Sequence, residues 1–207
     1  MRRIGIFTLL LLWLLSALLG IAWADGEIEL ASEAAILMDA ETGQILFAKN
    51  ANERLYPASI TKVMTGLLAL EALEAGQTLT VSREAVNQVP RTSSHISLQP
   101  GEELTVADAM YALAISSAND AANILAEGVS GSIEAFAQRM NERSAELGAL
   151  DTHFVNPNGL PNSEHYTTAY DMALITAEAL KNPDFLLYFG SGAYEIPATN
   201  ISQARSL

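Results

Sequence analysis

Hydrophobic residues recur at intervals of three and four along much of the chain, which is the spacing of a buried helix face. The first clear stretch follows Pro57 and has apolar residues at positions 60, 63, 64, 67 and 68. We predict a helix that follows Pro57, runs to about Ala75 and is stopped by Gly76. Its apolar face is expected to pack into the core.

Two further helices are predicted on either side of a polar interruption. Thr105 can cap a helix start, and Asp108, three residues later, favours the positive end of the helix dipole. The apolar positions of this helix give way to the polar sequence SSAND at 116–120, and a second apolar segment, 121–129, follows at once. The polar sequence therefore marks a break between two helices.

Two more helices are predicted beyond this pair. Ser132 is placed to begin a helix that Gly148 closes. Thr168 is placed to begin what we expect to be the last helix, which ends near Lys181. Between these two helices the sequence NPNGLP, 156–161, predicts a loop, because asparagine, proline and glycine favour turns.

Short apolar runs at Ala34–Asp39 and Gln44–Lys49 flank the sequence AETG and predict a β-hairpin. Gly43 provides a turn conformation that other residues adopt only at a cost. The segment 185–200, FLLYFGSGAYEIPATN, predicts short extended pieces. A two-stranded hairpin is marginal alone, so we expect the helices to pack against an antiparallel sheet that is incomplete in this chain. The predicted fold class is α+β.

The first residues have the three-part layout of a secretory signal peptide. Two arginines are followed by an apolar stretch over 4–19 and by the small-x-small sequence AWA at 22–24. We predict cleavage after Ala24, an exported protein located outside the cytoplasmic membrane, and one domain over residues 25–207. The alternative is an uncleaved membrane anchor, since the apolar stretch approaches the roughly 20 residues that span a bilayer.

The charge balance excludes several classes of partner. The chain carries 11 basic and 24 acidic residues, a formal charge of −13, and loss of residues 1–24 would make it −15 because two arginines lie there. Such an acidic surface repels nucleic acid and anionic lipid. The chain has no cysteine, so the exported fold must form without disulfides. His95, His153 and His165 lack metal-ligand spacing, and we expect no metal site.

The sequence YPASITKVMTG, 56–66, places a serine and a lysine three residues apart at the start of the first helix. Side chains at i and i+3 share a helix face, so Ser59 and Lys62 can meet. Ser59 could attack a carbonyl while its own amide N–H stabilises the oxyanion. Lys62 could accept the serine proton if apolar neighbours lower its pKa from ~10.4. Alternatively, Ser59 only caps the helix and Lys62 extends to solvent.

A second polar element lies about 55 residues further along the chain. Ser117-Ala118-Asn119 has the S-x-N form that accompanies S-x-x-K in serine acyl-transfer enzymes. A hydroxyl here can pass a proton to a leaving amine, and an amide can hold both ends of a peptide bond. The alternative is that these side chains only satisfy backbone groups at the helix break. The presence of both elements in this order favours the catalytic interpretation.

With these elements the chain resembles the low-molecular-weight penicillin-binding proteins, which are serine-type D-alanyl-D-alanine carboxypeptidases. The resemblance covers roughly residues 33–180. It includes ILMDAETGQILFAKNANERLYPASITKVMT, ISLQPGEELTVADAMYALAISSANDAANILAE, GSIEAFAQRMNERSAELG, THFVNPNGLP and HYTTAYDMALI. The fold that the resemblance implies is the β-lactamase and penicillin-binding transpeptidase type, with a helical cluster against an antiparallel sheet.

The resemblance also implies a role for each matching residue. Ser59 would be the acylated nucleophile, Lys62 its general base, and Ser117 the relay that gives a proton to the departing D-alanine. Asn119 would position the substrate amide. The substrates would be peptidoglycan stem peptides that end in D-Ala-D-Ala, and β-lactam antibiotics would acylate the same serine as inhibitors. No cofactor is implied, and membrane association would come only from the signal or anchor segment or from a missing C-terminal helix.

One departure from the family pattern is large. The family carries a Lys-Thr-Gly element on a strand that lines the site, and none of the three lysines here is followed by Thr-Gly. The family's later strands, its extra β-domain and its C-terminal membrane-binding helix are missing too. We therefore expect a C-terminally truncated chain with impaired activity. A lost charge-assisted hydrogen bond costs about 1.5–3 kcal/mol, and a lost oxyanion donor costs about 3–4 kcal/mol.

Two other functions remain open on the sequence alone. One is a β-lactamase of the same fold, which needs a carboxylate to activate the deacylating water. No Glu-x-x-Leu-Asn sequence occurs in the helical region. The other is a non-catalytic exported module that binds wall peptides, and such a module would not need the nucleophile.

Overall fold

Helices and short strands alternate irregularly along the chain in the computed structural model, which describes residues 29–207. The helices are α1 Lys62–Ala72, α2 Arg83–Asn87, α3 Val106–Ile115, α4 Asn119–Ser130, α5 Ile133–Glu146, α6 Ala169–Ala179 and α7 Pro183–Phe189. The strands are β1 Ala35–Met38, β2 Ile45–Lys49, β3 Thr78–Thr80, β4 Glu103–Thr105, β5 Glu195–Ile196 and β6 Arg205–Ser206. All of them lie in the compact unit Glu33–Leu207, and the predicted α+β class is confirmed.

Three of the helices begin at the capping residues that the sequence predicted. Thr105 and Asp108 form a reciprocal capping box at the start of α3, in which each side chain bonds the other's backbone N–H. The Ser132 hydroxyl accepts a hydrogen bond from the third residue of α5, and the Thr168 hydroxyl does the same in α6. Gly148 follows α5 in the left-handed conformation, φ 80°.

Helix α1 is the centre of the helical cluster. Met64 and Leu68 are fully buried within it, and the helix packs against both α4 and α6. It ends at Ala72, earlier than predicted, and its first turn is tighter than expected. The predicted first residues form a separate 3-10 turn, Ala58–Thr61, that runs directly into the helix.

The apolar interior has two adjoining clusters that share α1. One joins α3 and α4 through Met110, Leu113, Ile124 and Leu125. The other joins α1, α5 and α6 through Leu68, Phe136, Met140 and Ile175. Burial of these side chains, at about 1.5–3 kcal/mol each, fixes α1 between its neighbours and hence fixes the direction of the turn that precedes it.

Within residues 29–207 the strands form three separate antiparallel pairs. The pair β1–β2 is the predicted hairpin, with Ala35 opposite Lys49 and an irregularity after Leu37. Gly43 has φ 72° in its turn, which confirms the predicted need for glycine there. The pairs β3–β4 and β5–β6 are shorter.

The extended pieces predicted over 185–200 are only partly confirmed. Residues 185–189 instead belong to α7, so α6 is not the last helix. The signal for this helix was present, because the Asn182 side chain caps it and Pro183 occupies its first turn. The prediction that the last helix ends near Lys181 did not use this signal. Extended structure begins later, at β5.

One backbone bridge joins the segment before α6 to the chain that leads into α1, and a second closes the loop region on itself. Leu55 and Thr167 exchange hydrogen bonds of 2.8 and 3.0 Å, and His153 pairs with Tyr166. The predicted loop 156–161 therefore lies between two paired residues, His153 and Tyr166.

Within residues 29–207 no helix is long and apolar enough to cross a membrane. The predicted signal segment, residues 1–24, and the alternative anchor lie outside the described residues.

Candidate functional site

The structure brings Ser59 and Lys62 together. Ser59 lies in the exposed 3-10 turn, and Lys62 is the first residue of α1. Side chains at i and i+3 eclipse one another in a 3-10 turn, which aligns the two on one side. The Lys62 Nζ atom lies 3.4 Å from Ser59 Oγ. The 3-10 turn therefore achieves the contact that the sequence predicted from an α-helix.

The turn that carries Ser59 is strained, and its backbone is in close contact with Gly159. Ala58 has a positive φ of 48°, which non-glycine residues rarely adopt. Its carbonyl oxygen lies against Gly159, where an added Cβ atom would be only 1.8 Å away. Gly159 itself has φ 83°. Strain of this kind costs about 1–3 kcal/mol and is found most often at functional sites.

Lys62 is almost entirely removed from solvent. Lys62 is 2% exposed, and burial lowers the pKa of its amine from 10.5 to about 8. The Nζ atom donates hydrogen bonds of 2.7 Å to Asn119 Oδ1 and 2.7 Å to the backbone oxygen of Asn158. With this pKa, about a tenth of the molecules carry a neutral amine at pH 7.

The same two acceptors would orient a neutral amine. A neutral lysine has two N–H bonds and one lone pair. If Asn119 Oδ1 and the Asn158 oxygen take the two N–H bonds, the lone pair remains for the third neighbour, the hydroxyl of Ser59. The site can therefore accept the serine proton without any movement of the lysine side chain.

The S-x-N element forms a corner between α3 and α4. Ser117 connects the two helices in the left-handed conformation, φ 51°. Its Oγ atom is buried and has no hydrogen-bond partner among the described residues. Asn119 begins α4, is 5% exposed, and uses its oxygen on Lys62. This leaves its amide nitrogen able to donate to a bound carbonyl.

The buried carboxylate of Asp120, next to Asn119 in the sequence, connects this corner to the loop 94–98. Asp120 is 2% exposed and accepts hydrogen bonds from the backbone N–H groups of Ile96, at 3.2 Å, and Leu98, at 3.0 Å. The Asn119 backbone N–H donates to the Ser94 oxygen at 2.9 Å. The loop 94–98 is thereby fastened against the S-x-N element.

Sequence reasoning missed the part of the site that the loop 156–161 provides. Asn158 is 4% exposed, and besides accepting from Lys62 it donates through its side chain to Asn123 Oδ1 at 2.9 Å. Asn123 donates in turn to the Ala85 oxygen at 2.8 Å. The asparagine and glycine residues of this loop predict a turn. They also indicate a backbone that approaches other groups closely.

Within the described part of the chain, no group of three or more histidine, aspartate or glutamate side chains is arranged to hold a metal ion. Within residues 29–207, the hydrogen-bond partners of the Lys62 amine at the Ser59 turn are uncharged oxygens.

Comparisons with known proteins agree with this geometry. Residues 22–198 match the D-alanyl-D-alanine carboxypeptidase family. The carboxypeptidase DacF of Bacillus subtilis is 44% identical over 171 residues, which are 81% of this chain and 43% of that protein. The chain thus spans about two fifths of the length of the first relatives it matches.

Solved structures share the fold. The carboxypeptidase DacD of Francisella tularensis has a TM-score of 0.73 at 35% identity, covering 78% of this chain and 40% of that one. A variant of a Streptomyces DD-transpeptidase has a TM-score of 0.79 at 27% identity, covering 86% and 73%. Because the family match covers most of the sequence, this chain belongs to the D-alanyl-D-alanine carboxypeptidase family.

Proposed function

We propose that this protein is a serine-type D-alanyl-D-alanine carboxypeptidase that works through an acyl-enzyme on Ser59. The observation that carries the proposal is the buried Lys62 amine, with a pKa lowered to about 8, in contact with the Ser59 hydroxyl. If Ser59 only capped the helix, Lys62 would not need to be buried, because a lysine at a helix start can extend into water.

Acylation follows from this pair. The neutral Lys62 amine takes the Ser59 proton while Oγ attacks the carbonyl carbon of the penultimate D-alanine. As the tetrahedral intermediate collapses, the C–N bond to the terminal D-alanine breaks. The leaving amine receives a proton from the Lys62 ammonium by way of the Ser117 hydroxyl, and Asn119 holds the substrate amide. D-Alanine leaves, and an ester to Ser59 remains.

Hydrolysis of the ester restores the starting state. A water molecule attacks the ester carbonyl as it gives a proton to the neutral Lys62 amine, and the C–O bond to Ser59 breaks. The serine oxygen then regains a proton from the Lys62 ammonium. The products are the shortened peptide and the free enzyme, so no cofactor is consumed.

The proposed substrates are peptidoglycan stem peptides that end in D-Ala-D-Ala. β-Lactams are proposed as inhibitors, since their strained amide would acylate the same serine. We propose that the protein acts outside the cytoplasmic membrane, where its substrate lies. The family membership and the relatives named above support these assignments.

The test is covalent labelling of residues 1–207 with a fluorescent penicillin, followed by digestion and mass spectrometry. We expect the adduct on the peptide that contains Ser59, accumulating over hours because the sequence lacks Lys-Thr-Gly. Ser59→Ala should abolish the adduct, and Ser206→Ala, at an exposed serine in β6, should leave it intact. Label on any other residue, or none at all, contradicts the proposal.

Two further readouts separate the alternatives. An adduct that lasts minutes to hours favours a carboxypeptidase, whereas rapid release of hydrolysed penicillin favours a β-lactamase. Release of D-alanine from a D-Ala-D-Ala peptide, lost in Ser59→Ala, excludes a module that only binds wall peptides.

A further inference from the structure

The buried histidine His165 has no part in the proposed acyl transfer. It is 2% exposed and lies in the segment between the loop 156–161 and α6. Its Nε2 atom is 2.9 Å from the Thr61 hydroxyl. Thr61 stands between Ser59 and Lys62 in the sequence and is fully buried. The histidine therefore reaches the turn that carries the nucleophile from its inner side.

The hydrogen bonds of His165 determine its tautomer. The Val155 backbone N–H, which can only donate, lies 3.2 Å from Nδ1. Nδ1 must therefore carry a lone pair, and in the neutral ring the proton is on Nε2. Nε2 consequently donates to the Thr61 hydroxyl. Burial lowers the pKa of His165 to about 4, with a smaller contribution from His153, so the ring is neutral at neutral pH.

The use of Thr61 differs from that of comparable residues elsewhere in the chain. Threonine or serine precedes α3, α5 and α6, and each of these side chains caps its helix. Thr61 occupies the same position before α1, yet its side chain makes no capping hydrogen bond and its backbone is already helical, with φ −44° and ψ −35°. Its hydroxyl is directed to the histidine instead.

His165 is itself rigidly held. Its backbone N–H donates to the Asn162 oxygen at 3.1 Å, and its ring packs edge-on against Phe154, with centroids 5.5 Å apart. Phe154 is 1% exposed and belongs to the core. The ring therefore connects the core to the strained turn, in which Ala58 is pressed against Gly159.

We infer that His165 is a positioning residue that holds the Ala58–Thr61 turn through Thr61 and so sets the Ser59–Lys62 contact. The inference rests on the proposed acyl transfer. Fixing one end of a turn by a hydrogen bond from a core residue reduces the range of serine positions, and a misplacement of about 1 Å can lower a rate by up to about 100-fold.

Two substitutions separate positioning from mere support of the fold. Glutamine places an amide nitrogen near the position of Nε2, so His165→Gln keeps a donor for Thr61 and loses the acceptor for Val155. Asparagine places an oxygen near the position of Nδ1, so His165→Asn keeps the acceptor and loses the donor. Each variant loses one hydrogen bond, and equilibrium unfolding in urea would measure the cost of each.

The measured quantity is the rate of penicillin acylation at saturating drug, with the half-saturating concentration determined separately. We expect His165→Asn to lower the rate about ten- to a hundredfold at an unchanged half-saturating concentration. His165→Gln should remain within about threefold of the parent. Thr61→Val should match His165→Asn, and combining the two should cause no further loss, because they break the same hydrogen bond.

The outcomes distinguish this inference from the proposed function. A parent chain that is never acylated on Ser59 would overturn both. A parent that is acylated, with His165→Gln and His165→Asn equally slow or with effects that add to Thr61→Val, would overturn this inference alone. Nitrogen-15 NMR of the parent gives a check that needs no activity, since a proton on Nδ1 of His165 instead of Nε2 would also overturn it.

Discussion

Two polar regions of the site differ in how far their hydrogen-bonding groups are satisfied. The Lys62 pocket consists of the Lys62 amine with its neighbours Ser59, Asn119 and Asn158, and the Ser117 corner connects α3 to α4. Lys62 has two short hydrogen bonds and a third neighbour in Ser59. Ser117 is strained at φ 51°, and its buried hydroxyl has no hydrogen-bond partner among residues 29–207. A buried hydroxyl without a partner costs about 1–3 kcal/mol.

The difference agrees with the order of steps in the proposed acyl transfer. In that proposal the Lys62 amine acts before any substrate bond changes, and its hydrogen-bond acceptors are already in place. The proposed relay hydroxyl of Ser117 acts only when a leaving amine is present, so a free hydrogen-bonding capacity would be useful there. Electrostatic groups that are oriented in advance lower a barrier most effectively. The predictions below test this contrast, beginning with the largest expected effect.

Replacing the amine should have the largest effect on chemistry. Lys62→Met keeps the length and apolar stem of the side chain and removes the base. We expect acylation by penicillin to fall about 10²–10⁴-fold, the usual contribution of a positioned base. Lys181→Met is the control, because Lys181 is an exposed lysine paired with Glu178. A Lys62→Met protein that is acylated as fast as the control would show that the pocket does not supply the base.

Adding a methyl group at Gly159, which lies against the Ala58–Thr61 turn, should have the next largest effect. Gly159→Ala would place a Cβ atom 1.8 Å from the Ala58 oxygen and impose φ 83° on an alanine. We expect the free energy of unfolding in urea to fall by roughly 3 kcal/mol or more, and acylation to slow as the turn moves.

Gly148→Ala is the matched control for that substitution. Gly148 has φ 80°, but an added Cβ atom there has nothing within 4 Å. It should lose only the conformational part, about 1–2 kcal/mol, with acylation unchanged. Equal losses in the two variants would show that the contact between Gly159 and Ala58 does not determine the geometry of the turn.

The local half of this site could be predicted from the sequence, and the non-local half could not. Spacing of three residues brought Ser59 to Lys62, and the Thr105–Asp108 pair marked a helix start, because both depend on neighbours in the chain. The Asn158 oxygen that accepts a hydrogen bond from Lys62 comes from a loop 96 residues away. Loop residues have no periodicity that reports where their backbone oxygens point.

The strain in the site was equally beyond the sequence. Serine and alanine are ordinary residues for helices and turns, so nothing at Ser117 or Ala58 signals a positive φ. The α7 error has a different cause, since Asn182 and Pro183 did carry a start signal. Proline both ends one helix and begins another, and only packing of Phe185 into the core decides between them.

Varying the pH should affect the Lys62 pocket and leave the Ser117 corner unaffected. With a Lys62 pKa of about 8, the neutral fraction rises from about 1% at pH 6 to about half at pH 8. Acylation should therefore increase about 50-fold over that range and level off above it. Rates of labelling in a series of buffers would measure this. Ser117→Ala should lower the rate at every pH without moving the midpoint, because a serine hydroxyl does not titrate here.

The stability of the parent protein should also depend on pH through the lowered pKa of Lys62. Since the folded pKa lies below the ordinary value of 10.5, the unfolded chain binds more protons between pH 8 and 10.5. The folded state therefore gains stability as pH rises through that window. The free energy of unfolding in urea, measured at pH 8 and at pH 10.5, should rise with pH in the parent, and Lys62→Met should lack the contribution of this lysine. If the full rise persists in Lys62→Met, other groups cause it.

The smallest effect on stability is expected from substitution of Ser117. Whether stability rises or falls is the sharpest test of the contrast between the two regions. Ser117→Gly removes both the positive-φ strain and the unpartnered buried hydroxyl. These gains exceed the cost of a more flexible unfolded chain, so we expect stability to urea to rise by about 1 kcal/mol. Ser116→Gly is the control, because Ser116 has φ −92° and glycine there should lose about 0.5–1 kcal/mol.

Activity should move in the other direction. Ser117→Gly should release D-alanine from a D-Ala-D-Ala peptide more slowly than the parent, since the leaving amine would lose its proton relay. A gain in stability with a loss of activity is the pattern of a residue whose strain is retained for function. Loss of both stability and activity in Ser117→Gly would instead show that the Ser117 side chain supports the fold, and the contrast between the two regions would be wrong.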